Sequence, residues 1–328
     1  MMNYYIRIVR EFGFSTLIYG ACLRALRKSR IPDRLCNQID LAKHPRIVQR
    51  LQHDHADVIM RAVDRSTTIH SEPPLLQNDV PIRVFWQQGE VFAPPLVKAC
   101  IDSVRGQSGG RPVFVVTEDN VNEYVVIPEH VWKRFRDGCF SITHLSDIVR
   151  FALLSQRGGS WMDATICQTA PFPSEAYNLS YYTLRGPFGN WPWTDFLQSS
   201  GENNPFCAAV FDVLCSYWAD HTVLVTHLLI DCSMKAVYEC SPECRAMVDA
   251  VPTYGTEIIE LNDRMLDLAY SQSEMDRITS AAFIHKLSYK CPHEVHRDSE
   301  ITFYGHLLEG VKAIDTVDKG LCSGGEGQ

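Results

Sequence analysis

The chain has 328 residues, 45% hydrophobic and 21% charged; these are ordinary globular values, which exclude global disorder and suit one large α/β domain with an appendage, or two modest ones. The formal charge of −8 excludes a general nucleic-acid binder, which would be basic. That charge is uneven, because residues 1–65 carry 12 Lys and Arg against 6 Asp and Glu, whereas the remainder carries 19 against 33.

Residues 3–30 place Ile6, Val9, Leu17, Ile18 and Leu26 at helical spacing, interleaved with arginines. Such a helix either packs on its own protein or makes peripheral contact with an anionic membrane through Arg7, Arg10, Arg24, Arg27 and Lys28. Its uncharged stretch, Phe12 to Leu23, is shorter than the roughly 20 apolar residues a span needs. No small-residue cleavage site comes after it. Twelve scattered cysteines without a CxxC pair suit reduced thiols, so a cytoplasmic location is expected.

Residues 43–66 read as a second helix, and Ser71 to Pro81, with three prolines, as a linker. The expected division is therefore an N-terminal helical extension and linker over 1–80, a main domain over 81–322, and a disordered tail over 323–328. In the main domain, Ile82–Trp86 and Arg111–Val116 read as buried strands around a helix at 94–105. A helix over 144–157 stops at Gly158-Gly159, and Ser160–Ile166 reads as a third strand. Strand and helix in alternation predict an α/β fold with a mainly parallel sheet flanked by helices, whose ligand sits beyond the carboxyl ends of the strands. Leu179 to Asp195, rich in aromatics, Pro and Gly, reads as loop; 205–219 and 242–250 read as helices, and Phe283–Lys290 as a strand running into a loop.

The chemistry-bearing stretch is Asp147-Ile-Val-Arg150 and, after it, Gly158-Gly-Ser-Trp-Met-Asp163. Positions 147 and 150 share a helix face. There a carboxylate suits sugar or ribose hydroxyls and a guanidinium suits phosphate oxygens. The same residue types also make ordinary ion pairs, and Gly-Gly an ordinary helix stop. Their combination at strand ends is what points to a ligand.

The run from Val84 to about Pro173 resembles the capsular polysaccharide synthesis family of glycosyltransferases, a group related to glycosyltransferase family 32 and, more distantly, to the clostridial glucosylating toxins. The matching segments are Val84-Phe-Trp86-Gln-Gln-Gly89, Ser146-Asp147-Ile-Val-Arg150 and Gly158-Gly-Ser-Trp-Met-Asp163-Ala-Thr165, with weaker likeness at Leu229-Ile-Asp231 and His285-Lys286-Leu-Ser-Tyr-Lys290. The resemblance implies a GT-A-like (Rossmann-like) fold and transfer of a hexose or N-acetylhexosamine from a nucleotide-diphosphate sugar to a glycan or small-molecule acceptor, with retention. It places Trp86 and Gln87 at the base, Asp147 at the donor sugar or ribose, and Arg150 at the diphosphate or sugar. Asp163 becomes the first acid of an Asp-x-Asp motif holding Mn²⁺ or Mg²⁺, and Asp231 faces the acceptor or sugar. Because Thr165 stands where that motif has its second acid, two arrangements remain open. Either the metal is held by Asp163 and Thr165 with help from His285, or side chains such as Lys286 and Lys290 replace it. Trp191 and Trp193 read either as a sugar-stacking lip or as loop packing. A non-catalytic nucleotide-sugar-binding or scaffold protein is the alternative to an enzyme.

Overall fold

The computed structural model describes residues 6–7, 9–13, 42–67, 80–186 and 191–309. The linker, most of the basic N-terminal segment and the C-terminal tail lie outside these residues.

Helix α1 (His44–Thr67) turns the same face inward at 44, 47, 48, 51, 55, 59, 62, 63 and 66, a spacing of three and four that lays an apolar stripe on its neighbours. Strand β1 (Ile82–Phe85) is buried throughout and sits between β2 (Val113–Val116) and β3 (Gly159–Met162), parallel to both. Between β1 and β2 runs α2 (Pro95–Gly106), opened by Pro94 and Pro95, which are suited to a first turn because no N–H is needed there. Short α3 (Val121–Tyr124) and α4 (Glu129–Arg136) lead to α5 (Ile142–Arg157). Helix α5 ends at Gly158, whose N–H bonds to Leu154 O at 3.2 Å.

Gly158 and Gly159 both have positive φ, 59° and 94°, and the pair reverses the chain from α5 into β3. Arg83, buried on β1, anchors this reversal by donating from Nη1 to Gly158 O at 2.7 Å.

The strand expected over 160–166 divides in two. After Met162 the chain turns, with Ile166 N bonding to Asp163 O at 2.9 Å, and resumes as β4 (Ile166–Gln168) in a separate ladder. The segment 179–195, expected as loop, instead supplies β5 (Tyr181–Arg185) and leads into β6 (Trp193–Ser200). Tyr181, Tyr182 and Trp193 are fully enclosed there; aromatic residues suit a pleated buried surface, and this outweighs the nearby Pro and Gly. The five-stranded sheet runs β2-β1-β3-β6-β5, with β6 antiparallel to both neighbours. All of its strands except β6 therefore point one way, and the expected mainly parallel α/β sheet is what forms.

Helices α6 (Pro205–Asp220) and α7 (Leu229–Cys240) pack together, α6 against α5 and both against α1. Helix α8 (Pro242–Asp249), the short α9 (Glu257–Glu260) and α10 (Gln272–Ala281) then lead to β7 (Ile284–Lys286). Strand β7 pairs antiparallel with β4, setting Ile166 opposite Lys286 and Cys167 opposite His285. A small hairpin, β8 (His296–Arg297) with β9 (Glu300–Ile301), comes next. The inward residues of α1 belong to the same hydrophobic core as the sheet and α5–α7, so the division expected at residue 80 separates segments that share one core.

Candidate functional site

At the carboxyl ends of β1 and β3 lies a cleft of about 290 Å³. Its walls are Trp86 and Gln87 after β1, the first turns of α5 at Ile142, Thr143 and Ser146, and the turn Asp163-Ala164-Thr165 after β3. Lys286, Tyr289 and Lys290, at and after the end of β7, close the remaining side.

The turn is held by its own backbone, as Asp163 N bonds to Phe196 O at 2.9 Å and Leu287 N to Thr165 O at 2.9 Å. The second bond extends the β4–β7 ladder and delivers Lys286 to the acids. Its Nζ donates to Asp163 Oδ2 at 2.6 Å and to Thr165 Oγ1 at 2.9 Å. The other oxygen of Asp163 accepts from Arg150 Nη2 at 3.1 Å and from Trp161 Nε1 at 2.9 Å. Burial alone would raise the Asp163 pKa, but the ammonium of Lys286 and the guanidinium of Arg150 outweigh it and hold the carboxyl below its ordinary range.

Arg150 is the electrostatic centre. Only 2% of its side chain is exposed, and it stands 3.3 Å from Asp147, 3.1 Å from Asp163 and 3.8 Å from Asp195. Its Cζ lies 5.0 Å from the Trp161 ring centroid. Desolvation opposes its charge; Asp163, Asp147 and Asp195 reverse that and raise its pKa. Asp147 also faces His144, Nδ1 to Oδ2 at 3.5 Å. Trp218 Nε1 donates to His144 Nε2 at 2.8 Å. An indole only donates, so the neutral imidazole carries its proton on Nδ1, toward Asp147.

Asp147, Arg150 and Asp163 thus converge as the sequence predicts, but in two layers. Asp163 lines the cleft. Asp147, 6% exposed, and Arg150 sit behind it. Arg150, expected at the diphosphate or sugar, contacts Asp163 and does not itself line the cleft, because the enclosed length of α5 draws residues 147 and 150 into the core. Asp231, on α7 and 5% exposed, belongs to the same buried group: burial, then the carboxylates of Asp195 and Asp147, push its pKa well up. It does not line the cleft.

His285 is not brought to the site. Side chains alternate along β7, so Lys286 faces Asp163 while His285 is enclosed on the other side, near Glu257 and Glu260 of α9. Burial lowers its pKa to about 4. Trp86 meets Tyr289 edge-on at 5.4 Å between ring centroids. Gln87 donates from Nε2 to Glu118 Oε2, and Trp191 and Trp193 stack on each other at 6.1 Å, with Trp193 buried in β6. Asp195 is missed by the sequence reasoning, because it sits in the segment that reads as loop; the signal available is its place two residues after Trp193 on an alternating strand.

The residues present do not fit a divalent cation at Asp163 and Thr165. A hard cation of this kind is commonly held by one or two protein carboxylates beside water and substrate phosphates, and it needs those protein oxygens free of another cation. Here one carboxylate and one hydroxyl are offered, and an ammonium already bridges them. No cluster of three or more His, Cys, Asp or Glu suited to a metal occurs among the described residues.

Residues 32–307 match the capsular polysaccharide synthesis protein family. The chain belongs to that family. No curated protein matches it. Two solved structures are similar to this capsular polysaccharide synthesis family member at low identity. One is the PaToxG glycosyltransferase, with TM-score 0.40 and 14% identity over 73% of this chain and 99% of that one. The other is a glycosyltransferase involved in the glycosylation of the major capsid of PBCV-1, with TM-score 0.35 and 12% identity over 71% and 99%. No helix among the described residues is long and apolar enough to cross a membrane.

Proposed function

We propose that this protein is a glycosyltransferase, using a nucleotide-diphosphate sugar as donor and a glycan or glycosylated small molecule as acceptor. Membership in a family of capsular polysaccharide synthesis proteins supports sugar transfer as the class of reaction. The observation that carries the reading is the shared cleft, in which the Asp163–Thr165 turn, two lysines and a pair of aromatic rings meet at the strand ends. An aromatic face suits a nucleobase. The ammonium groups of Lys286 and Lys290 suit a diphosphate, and they lie on the side of the cleft where Asp163 already concentrates positive charge. As the sugar leaves its nucleotide, negative charge grows on the diphosphate, and fixed cations in a partly enclosed cleft stabilise that charge more than water does. A hexose or N-acetylhexosamine donor and retention of configuration come from the family resemblance and form part of the proposal.

The test is turnover of a panel of nucleotide sugars, read as nucleoside diphosphate released with and without glycan acceptors. Asp163→Asn, which keeps the shape and removes the charge that orders Arg150 and Lys286, should lower release by about 10²-fold or more while the circular dichroism spectrum is kept. Wild-type turnover in that variant would overturn the assignment.

A further inference from the structure

We propose that the ammonium of Lys286 occupies the cation position of the Asp163-Ala164-Thr165 turn, so that nucleoside diphosphate binds this cleft without a divalent metal. The identity of the ligand rests on the nucleotide-sugar reading above; the identity of the cation rests on geometry alone.

Lys286 contacts the two side chains that would open a metal shell, Asp163 at 2.6 Å and Thr165 at 2.9 Å. An ammonium has three N–H donors, so one remains for a phosphate oxygen. The side chain is 27% exposed and lines the cleft, so a ligand reaches it. It is also built into place. Its backbone is paired with Ile166 in the β4–β7 ladder, the next residue bonds to Thr165 O, and Nζ lies 5.3 Å from the centroid of the Phe196 ring. A surface lysine drifting onto an acid has none of these restraints.

Thr165 fits the same reading. A second carboxylate here would add a charge that one ammonium leaves unbalanced, whereas a hydroxyl accepts one N–H of Lys286 and asks for no further cation. The histidine expected to complete a metal shell, His285, points away, and the second cation in the cleft is Lys290. The arrangement trades a mobile dication for the ammonium of Lys286, held at the end of β7, with Lys290 on the exposed segment after it.

The experiment is calorimetric titration of the full chain with UDP, GDP and ADP, each in EDTA and in Mn²⁺. For whichever nucleotide binds, wild-type affinity should agree within about twofold between the two conditions, and Lys286→Ala should bind about tenfold or more weakly in EDTA. Lys286→Arg should retain metal-independent binding, and thermal unfolding of both variants separates lost contact from lost fold. Wild-type binding that requires Mn²⁺, or undiminished binding by folded Lys286→Ala in EDTA, would overturn the proposal. If no nucleoside diphosphate binds in either condition, the nucleotide-sugar reading fails. The cation claim is then decided by the electron spin resonance of aqueous Mn²⁺ titrated with protein. An unchanged signal supports it, and stoichiometric Mn²⁺ uptake that Asp163→Asn abolishes refutes it.

Discussion

Asp231 shows how enclosure among other carboxylates makes a carboxyl hold its proton more tightly. It shares its surroundings with Asp195, Asp147 and Arg150; burial first and the two carboxylates next raise its pKa well above 3.8, and the single guanidinium does not offset them. A group whose proton is held more tightly in the folded than in the unfolded chain stabilises the fold fully below its unfolded pKa, and that contribution is lost as pH rises toward the native value. Asp231→Asn mimics the protonated form at every pH. Its unfolding midpoint should match wild type near pH 3 and exceed it by a few degrees at pH 7, as read by thermal melts across that window. Equal pH slopes for the two proteins would show that Asp231 ionises normally. At this scale the sequence is legible in part. Asp163 and Lys286 are named by motif, and both reach the cleft. The layering of Arg150 behind Asp163 is not legible, because helical spacing says that 147 and 150 share a face and leaves open whether that face meets solvent or core.

At the scale of elements, the turn between α5 and β3 fixes the distance between the helix carrying Asp147 and Arg150 and the strand end carrying Asp163. Gly159 has φ of 94°, and a Cβ there would stand 2.7 Å from Pro81 O and 3.0 Å from Arg83 Nη1. Gly158 is equally confined, its added Cβ lying 2.6 Å from Glu202 N. Gly159→Ala therefore meets both a disfavoured backbone conformation, which costs about 1–3 kcal/mol, and a contact with main chain that does not yield. Urea unfolding should show a loss of at least that size, with turnover falling alongside it as Asp163 shifts. A variant as stable as wild type would mean that the turn relaxes without cost. The Gly-Gly stop is readable because a helix pattern ends on it. Strands β5 and β6 are not, because the cue for them is burial of Tyr181 against Phe206 of α6, Trp193 against Tyr238 of α7, and Tyr182 against Phe172 and Tyr254, a tertiary effect that local composition does not carry.

For the whole molecule, the informative contact is between α1 and the rest. The sequence points to an appendage, since a proline-rich linker and a change of charge separate residues 1–80 from the main domain, and neither feature reports packing. Ile47, Val48, Leu51, Ile59 and Val63 are all buried in the common core beneath α6 and α7. Polar contacts reinforce the seam, with Gln52 Nε2 donating to Glu239 at 2.8 Å and Arg65 Nη2 to Asp212 at 3.1 Å. Burying each of those apolar side chains stabilises the fold by about 1.5–3 kcal/mol, so together they approach the roughly 5–15 kcal/mol that holds a typical protein folded. A fragment beginning at residue 81 should therefore be insoluble or lack a cooperative thermal transition. The milder Leu51→Ala should lower stability by about 2–5 kcal/mol while leaving nucleotide affinity of the folded protein unchanged, because α1 does not line the cleft. Calorimetric unfolding of both would decide the matter: a fragment from residue 81 that melts cooperatively at the full-length midpoint would make α1 an accessory.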